Sequence, residues 1–95
     1  MNKTELIDQL AGATSLSKAD AGRAMDALFD VNKGIIAGTL KSGGKVQITG
    51  FGTFETRQRS ARMGRNPRTG DRIQIPASVS PAFRAGKGLK DGVKP

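Results

Sequence analysis

Six arginines, Arg57, Arg59, Arg62, Arg65, Arg68 and Arg72, stand within residues 57–76 against one acid, Asp71. A guanidinium is always charged and presents a planar fork of donors that matches a phosphate. This stretch, RQRSARMGRNPRTGDRIQIP, holds only Met63, Ile73 and Ile75 as large apolar residues, so it builds no core of its own. At its centre Asn66-Pro67-Arg68-Thr69-Gly70 spells a tight reversal, with Pro presetting one φ and Gly supplying a positive one. Strand-compatible residues flank the reversal on both sides, which predicts a two-stranded β-ribbon with a proline at its tip. Strands of about eight residues would reach ~26 Å, long enough to follow a groove around a duplex. Such a ribbon fits a groove of B-form DNA, where arginine pairs with phosphates or enters a narrow minor groove. The bland alternative is a solvated hairpin, and six arginines on a loop that buries nothing weigh against it.

The charge of the whole chain points the same way. Its 95 residues carry 16 basic and 8 acidic side chains, net +8. Residues 1–44 hold five of each sign, whereas residues 45–95 hold eleven basic and three acidic. Charge placed only for solubility would be spread; here it is concentrated as a polyanion-binding surface requires. There is no cysteine and no histidine. That removes disulfides, thiolate metal sites, the commonest metal ligand and the usual general base. No cofactor, metal site or enzymatic activity is expected. No apolar run is long enough to span a bilayer and no signal-type segment follows Met1, so the expectation is a soluble cytoplasmic protein. With the ribbon set aside, the remaining core is marginal for a monomer. A dimer sharing one core is the expected solution.

The elements that must hold the ribbon are read from periodicity. Asn2 with Glu5 forms a weak capping box, and Leu6, Ile7, Leu10 and Ala11 follow at helical spacing, predicting a helix over about 3–13. Ser17 with Asp20 starts a second helix, whose apolar positions run from Ala21 to Leu40. Gly34 and Gly38 interrupt it; one continuous helix over about 18–40 is favoured against a break near Gly34. Ser42-Gly43-Gly44 ends the helical region, and Lys45-Val46-Gln47-Ile48-Thr49 alternates as a half-buried strand. Gly50-Phe51-Gly52 is a turn, and Thr53 to Thr56 begins a strand that runs into the ribbon. Phe51 and Phe54 are read as core rather than as stacking platforms for bases. Ser80-Pro81 reads as a helix start, with the last helix over about 81–93.

These residues carry a resemblance. Gly50-Phe51-Gly52-Thr53-Phe54, then Arg59, Arg62, Gly64-Arg65-Asn66-Pro67-Arg68-Thr69-Gly70, then Ile73 and Ile75-Pro76-Ala77 resemble the bacterial HU and integration-host-factor family of DNA-bending proteins, closest to HU. The opening MNKTELID, Leu16-Ser17-Lys18, and Pro81-Ala82-Phe83 with Gly86-Lys87 and Leu89-Lys90 extend the resemblance over nearly the whole chain. It implies an α+β fold: an intertwined dimer of a helical base with a three-stranded antiparallel sheet, extended into a long two-stranded arm per subunit. One domain over 1–95 is implied. Within it, residues 1–44 would form a helical dimerisation region, residues 45–81 a sheet whose arm lies at about 57–76, and residues 81–93 a C-terminal helix. A homodimer is favoured, a heterodimer being the alternative. The implied partner is double-stranded DNA, bound through the minor groove in the nucleoid. By that resemblance Pro67 intercalates at a kink, as minor-groove architectural proteins insert apolar wedges; the handling of duplex DNA by this family is a general example of that mode. Arg57, Arg59, Arg62, Arg65, Arg68 and Arg72 would contact phosphates and sugars, Asn66 would reach base edges, and Lys3 and Lys87 would hold bent DNA at the flanks. One departure is a segment between Lys18 and Gly50 about four residues, close to one helical turn, longer than the family pattern.

The competing readings differ in class. Sequence-specific bending of the integration-host-factor type is the nearest. A basic RNA-binding module is remote, because it predicts exposed aromatics for stacking and the chain has neither Trp nor Tyr. An anionic-membrane binder would place its basic residues on an amphipathic helix rather than a ribbon.

Overall fold

The computed structural model describes residues 1–95 and contains two compact units, Met1–Ser42 and Gly43–Pro95. The first is helical and the second is built on strands.

The helical unit holds α1 (Lys3–Thr14), α2 (Lys18–Phe29) and α3 (Ile35–Lys41). Both predicted caps form: Asn2 Oδ1 accepts from Glu5 N–H at 2.9 Å and Ser17 Oγ from Asp20 N–H at 3.1 Å. Each satisfies one of the donors that a helix start leaves unpaired. The side chains buried here are few, two of them alanines: Ala11, Ala21, Met25 and Ile36. Leu6, Leu16, Leu28, Phe29, Val31 and Ile35 remain largely exposed, Val31 by 83%.

The continuous helix expected over 18–40 is not what forms. It breaks after Phe29, and Asp30 is the cause. Asp30 Oδ1 accepts from the N–H groups of Asn32 and Lys33, both at 2.8 Å, and its carbonyl accepts from Gly34 N–H at 2.9 Å. A side chain that satisfies the backbone two and three residues on competes directly with helix propagation. Gly34 then serves as the N-cap of α3 with extended backbone. A Cβ at Gly34 would lie 2.5 Å from the Asp30 carbonyl oxygen, so only glycine passes through this break. Gly38 shows no corresponding close neighbour.

The second unit holds β1 (Val46–Ile48), β2 (Gly52–Arg59), β3 (Arg62–Arg65), β4 (Arg72–Ile75), β5 (Ser78–Ala85) and α4 (Lys87–Gly92). β1, β2 and β5 form a three-stranded antiparallel sheet in the order β1-β2-β5, while β3 and β4 pair separately. Phe51, Phe54 and Phe83 cluster on it, with ring centroids 5.7 Å apart for Phe51 and Phe83 and 4.9 Å for Phe54 and Phe83. Phe54 is partly covered, but Phe51 and Phe83 stay 47% and 41% exposed, so the cluster is an unfinished core.

The helix expected from Pro81 is also corrected. Ser78 to Ala85 is strand, pairing with β2 along its whole length, and the helix begins only at Lys87 with Gly86 as N-cap. A Ser-Pro step suits a helix start, but β5 is an edge strand, where a proline's missing N–H is tolerated. Long-range pairing with β2 outweighed the local signal. The start of α4 is tied to the 49–51 turn: Gly86 N–H donates to the Phe51 carbonyl at 2.8 Å and Leu89 N–H to the Gly50 carbonyl at 2.9 Å.

Candidate nucleic-acid interface

The arm grows out of the sheet. β1 covers β2 only as far as Phe54, opposite Val46, so from Glu55 onward β2 is paired with β5 alone. Arg57 lies opposite Ser80 and Arg59 opposite Ser78. The ladder then lapses at Ser60-Ala61, facing Ala77 and Pro76, and resumes with Arg62 opposite Ile75. Two residues on each side leave the register unchanged across the gap. Pro76 has no N–H to give, which accounts for the lapse on its side. The ribbon proper is therefore shorter than the eight residues per strand expected: it spans Arg62–Arg65 against Arg72–Ile75. Arg57 and Arg59 sit on its sheet-like base.

Directly opposed residues share a face of a ribbon. By register, Arg57, Arg59, Arg65 and Arg72 fall on one face, together with Met63 and Gln74. Arg62 falls on the other, with Gly64, Ile73 and Ile75. Arg65 stands opposite Arg72, a like-charge pair that costs stability in a free ribbon and is relieved by an anion placed between or above them. All six arm arginines are exposed.

The ion pairs sharpen the contrast. The chain's six are Lys3–Asp26, Lys18–Asp8, Arg23–Asp20, Lys45–Glu55, Arg84–Glu55 and Lys94–Asp91. None involves an arm arginine. In the helical unit three of five cations are neutralised locally. On the sheet Glu55, with its side chain 13% exposed, holds Lys45 at 3.5 Å and Arg84 at 3.7 Å. The arm arginines and Lys87 are the cations left uncompensated beside the sheet, along with Lys90.

The tip closes as the sequence predicts. Asn66 N–H donates to the Asp71 carbonyl at 2.8 Å, and Gly70 N–H donates to the Asn66 carbonyl at 2.7 Å. Gly70 adopts φ +74°, a conformation that side chains rarely accept. Asn66 Oδ1 accepts from Arg68 N–H at 2.9 Å, and Asp71 N–H reaches Thr69 Oγ1 at 3.3 Å. Pro67 is exposed while Asn66 is half-buried. The side-chain oxygen of Asn66, a residue expected to reach base edges, thus accepts a bond within the turn.

The two flank lysines lie in different units. Lys87 is the first residue of α4, beside the backbone junction with the 49–51 turn. Lys3, in the helical unit, is not free: its Nζ donates to Asp26 Oδ1 at 2.8 Å. That bond, with the charges of Asp26 and Asp30, raises the lysine's pKa. Asp30 itself is held below the usual carboxylate range, first by Lys33 N–H and Asn32 N–H and to a smaller degree by the charge of Lys3. No sequence signal pointed to Asp26 or Asp30. Asp26 at a helical site opposite Lys3 becomes visible only when α1 and α2 are packed. No group of three or more acidic, His or Cys residues is placed to hold a metal, and no helix is long and apolar enough to cross a membrane.

The family model described as bacterial DNA-binding protein matches residues 1–94. The chain belongs to this bacterial DNA-binding protein family. Within it, DNA-binding protein HU-1 of Halalkalibacterium halodurans is 58% identical over 93 residues, covering 98% of this chain and 99% of the relative. DNA-binding protein HU 1 of Bacillus subtilis is 58% identical over 93 residues, covering 98% and 97%. Among solved structures of the family, that of an Anabaena HU–DNA cocrystal matches with a TM-score of 0.86 at 43% identity, covering 100% of this chain and 99% of that one. HU from Thermotoga maritima matches with a TM-score of 0.65 at 33% identity, covering 99% and 100%. The family match spans both units and the arm between β2 and β5.

Proposed function

We propose that this protein is an architectural DNA-binding protein that grips duplex DNA with its arms, through the minor groove, and bends it. The observation that carries the reading is the arm itself: six exposed arginines without an ion pair, on a two-stranded ribbon, its base and its tip, where a proline is exposed. Relatives named DNA-binding protein HU and the likeness to an HU–DNA cocrystal support it. Arg57, Arg59, Arg65 and Arg72 line one face and neutralise phosphates; Arg62 and Arg68 add contacts at the other face and the tip. Lys3 and Lys87 hold the bent duplex at the body. Pro67, apolar and without an N–H to satisfy, enters a base step and opens the kink.

Phosphate contacts carry no sequence information, and the minor groove shows a degenerate pattern, so little sequence preference follows. Bending a duplex costs a few kcal/mol, and DNA already nicked or mismatched binds more tightly because some of that cost is absent. The chemistry is binding and deformation, without a covalent step, and the working place is the nucleoid.

The functional unit is a dimer, with a homodimer favoured, in which the whole chain 1–95 forms one DNA-binding domain. Only Ala11, Ala21, Met25 and Ile36 are buried apolar residues, and no large side chain is fully buried. Leu28, Phe29 and Ile35 in one unit, and Ile48, Phe51 and Phe83 in the other, are the apolar surface that a second copy covers.

Competition between a random-sequence duplex and a folded RNA of equal length, at matched salt, tests this reading. The duplex is expected to win, with log K falling at a slope of about −7 against log salt if eight phosphates are neutralised per dimer. Preference for the RNA would make the ribbon an RNA contact and overturn the proposal.

A further inference from the structure

One side chain closes the arm tip. Asn66 uses its backbone N–H on Asp71, its carbonyl on Gly70 and its Oδ1 on Arg68, at 2.8, 2.7 and 2.9 Å. These three bonds bracket Pro67 on both sides. Pro67 contributes a fixed φ but no hydrogen bond, so its direction is set by its neighbours. Arg68 N–H, the first donor after the proline, is held by Asn66 alone through a side-chain bond that mimics a backbone turn.

We infer that Asn66 is a positioning residue for the proline wedge: its Oδ1 holds the turn that presents Pro67, and it acts through that turn rather than by reading a base. The bidentate contact of asparagine is made to adenine N6 and N7 in the major groove, which an arm in the minor groove does not meet. The bond from Arg68 N–H fixes the direction of the amide and leaves its oxygen one free lone pair, and the NH2 meets only the acceptors that A·T and T·A share in the minor groove. The inference rests on the wedge reading of the preceding subsection, which assigns the proline but leaves open what aims it.

Three substitutions separate holding from reading. Asn66→Ser keeps an oxygen that accepts from the N–H two residues on, more weakly than asparagine. Asn66→Gln keeps the amide but lengthens the side chain by one methylene, so the oxygen overshoots Arg68 N–H. Asn66→Ala removes both. Two readouts apply: amide exchange of Arg68 without DNA, and the bend of a random-sequence duplex at saturating protein, measured by energy transfer between its ends. Ser is expected to keep most of the Arg68 protection and most of the bend. Gln and Ala should exchange about fivefold faster at Arg68, the factor for one lost hydrogen bond of ordinary strength, and bend no more than Pro67→Ala.

Wild-type bending by Gln with loss in Ser would make Asn66 a base reader and overturn the inference. Full bending and unchanged exchange in all three would show that the turn needs no side-chain latch, which also overturns it. If Pro67→Ala itself bends like wild type, the wedge reading fails and the positioning role falls with it. A normal Pro67→Ala defect with Ser behaving as Ala in both readouts sinks only the inference.

Discussion

At the residue scale, what separates the arm arginines from most of the other cations is the company they keep. Lys45 and Arg84 share Glu55, and Lys18, Arg23 and Lys94 each have an aspartate, whereas Arg65 faces Arg72. Removing one arginine that contacts a phosphate is expected to lower the salt slope by about 1 and weaken binding alike on every sequence. Arg65→Ala, titrated on two unrelated duplexes over a salt series, checks this; a loss confined to one duplex would mean base readout instead. Lys3 is a different case, because Asp26 already holds it. DNA must break that pair before it gains the lysine. Asp26→Asn is therefore expected to tighten binding a few-fold, and adding Lys3→Gln should cancel most of the gain. Equal gains in the presence and absence of Lys3 would show that only net charge matters, since independent effects add.

At the scale of elements, the break in the second helix is the feature most open to test. Gly34→Ala is expected to destabilise the fold by about 1–3 kcal/mol, because its Cβ would meet the Asp30 carbonyl oxygen. Denaturant unfolding monitored by circular dichroism measures it, and a stabilised variant would contradict this explanation of the break. Asp30 adds a pH dependence. Its carboxylate pKa is lowered in the folded state, so its contribution is present above the unfolded value of about 3.9 and is lost as pH falls through the lower folded value. Amide shifts of Asn32 and Lys33 should move together in that acidic window and should not do so in Asp30→Asn. The sequence made much of this level legible. The caps at Asn2 and Ser17, the strand at Val46–Ile48 and the reversal at Asn66–Gly70 follow from local rules, and each is present, though Ile48, expected half-buried, stays exposed. What local rules missed was set by partners distant or unexpected. Asp30 reads as an ordinary helical acid until its carboxylate is seen on two N–H groups ahead. Ser80-Pro81 reads as a helix start until eight residues of β2 are laid beside it.

At the scale of the whole molecule, a core of four buried apolar residues and an incompletely covered cluster of Phe51, Phe54 and Phe83 call for a second copy. Sedimentation at micromolar concentration is expected to give a dimer, with a melting temperature that rises with protein concentration. A monomer whose melting is independent of concentration would refute the shared core. Charge is organised on the same scale: residues 1–44 are neutral and the excess of +8 lies in residues 45–95. The free arm is marginal as an isolated ribbon, four paired residues per strand beyond a gap in the ladder. It is expected to move without DNA and to order on it. Amide exchange over the strands 62–65 and 72–75 should be faster than in the helices of the free protein and slower in the complex.

The most direct test of bending by the arms is the bend of a random-sequence duplex with wild type and Pro67→Ala, followed by energy transfer across a salt series. Both proteins are expected to bind with the same steep salt dependence, wild type to bend the duplex sharply, and Pro67→Ala to bend it less. Equal bending by the two proteins, or binding by wild type without a bend, would contradict the wedge.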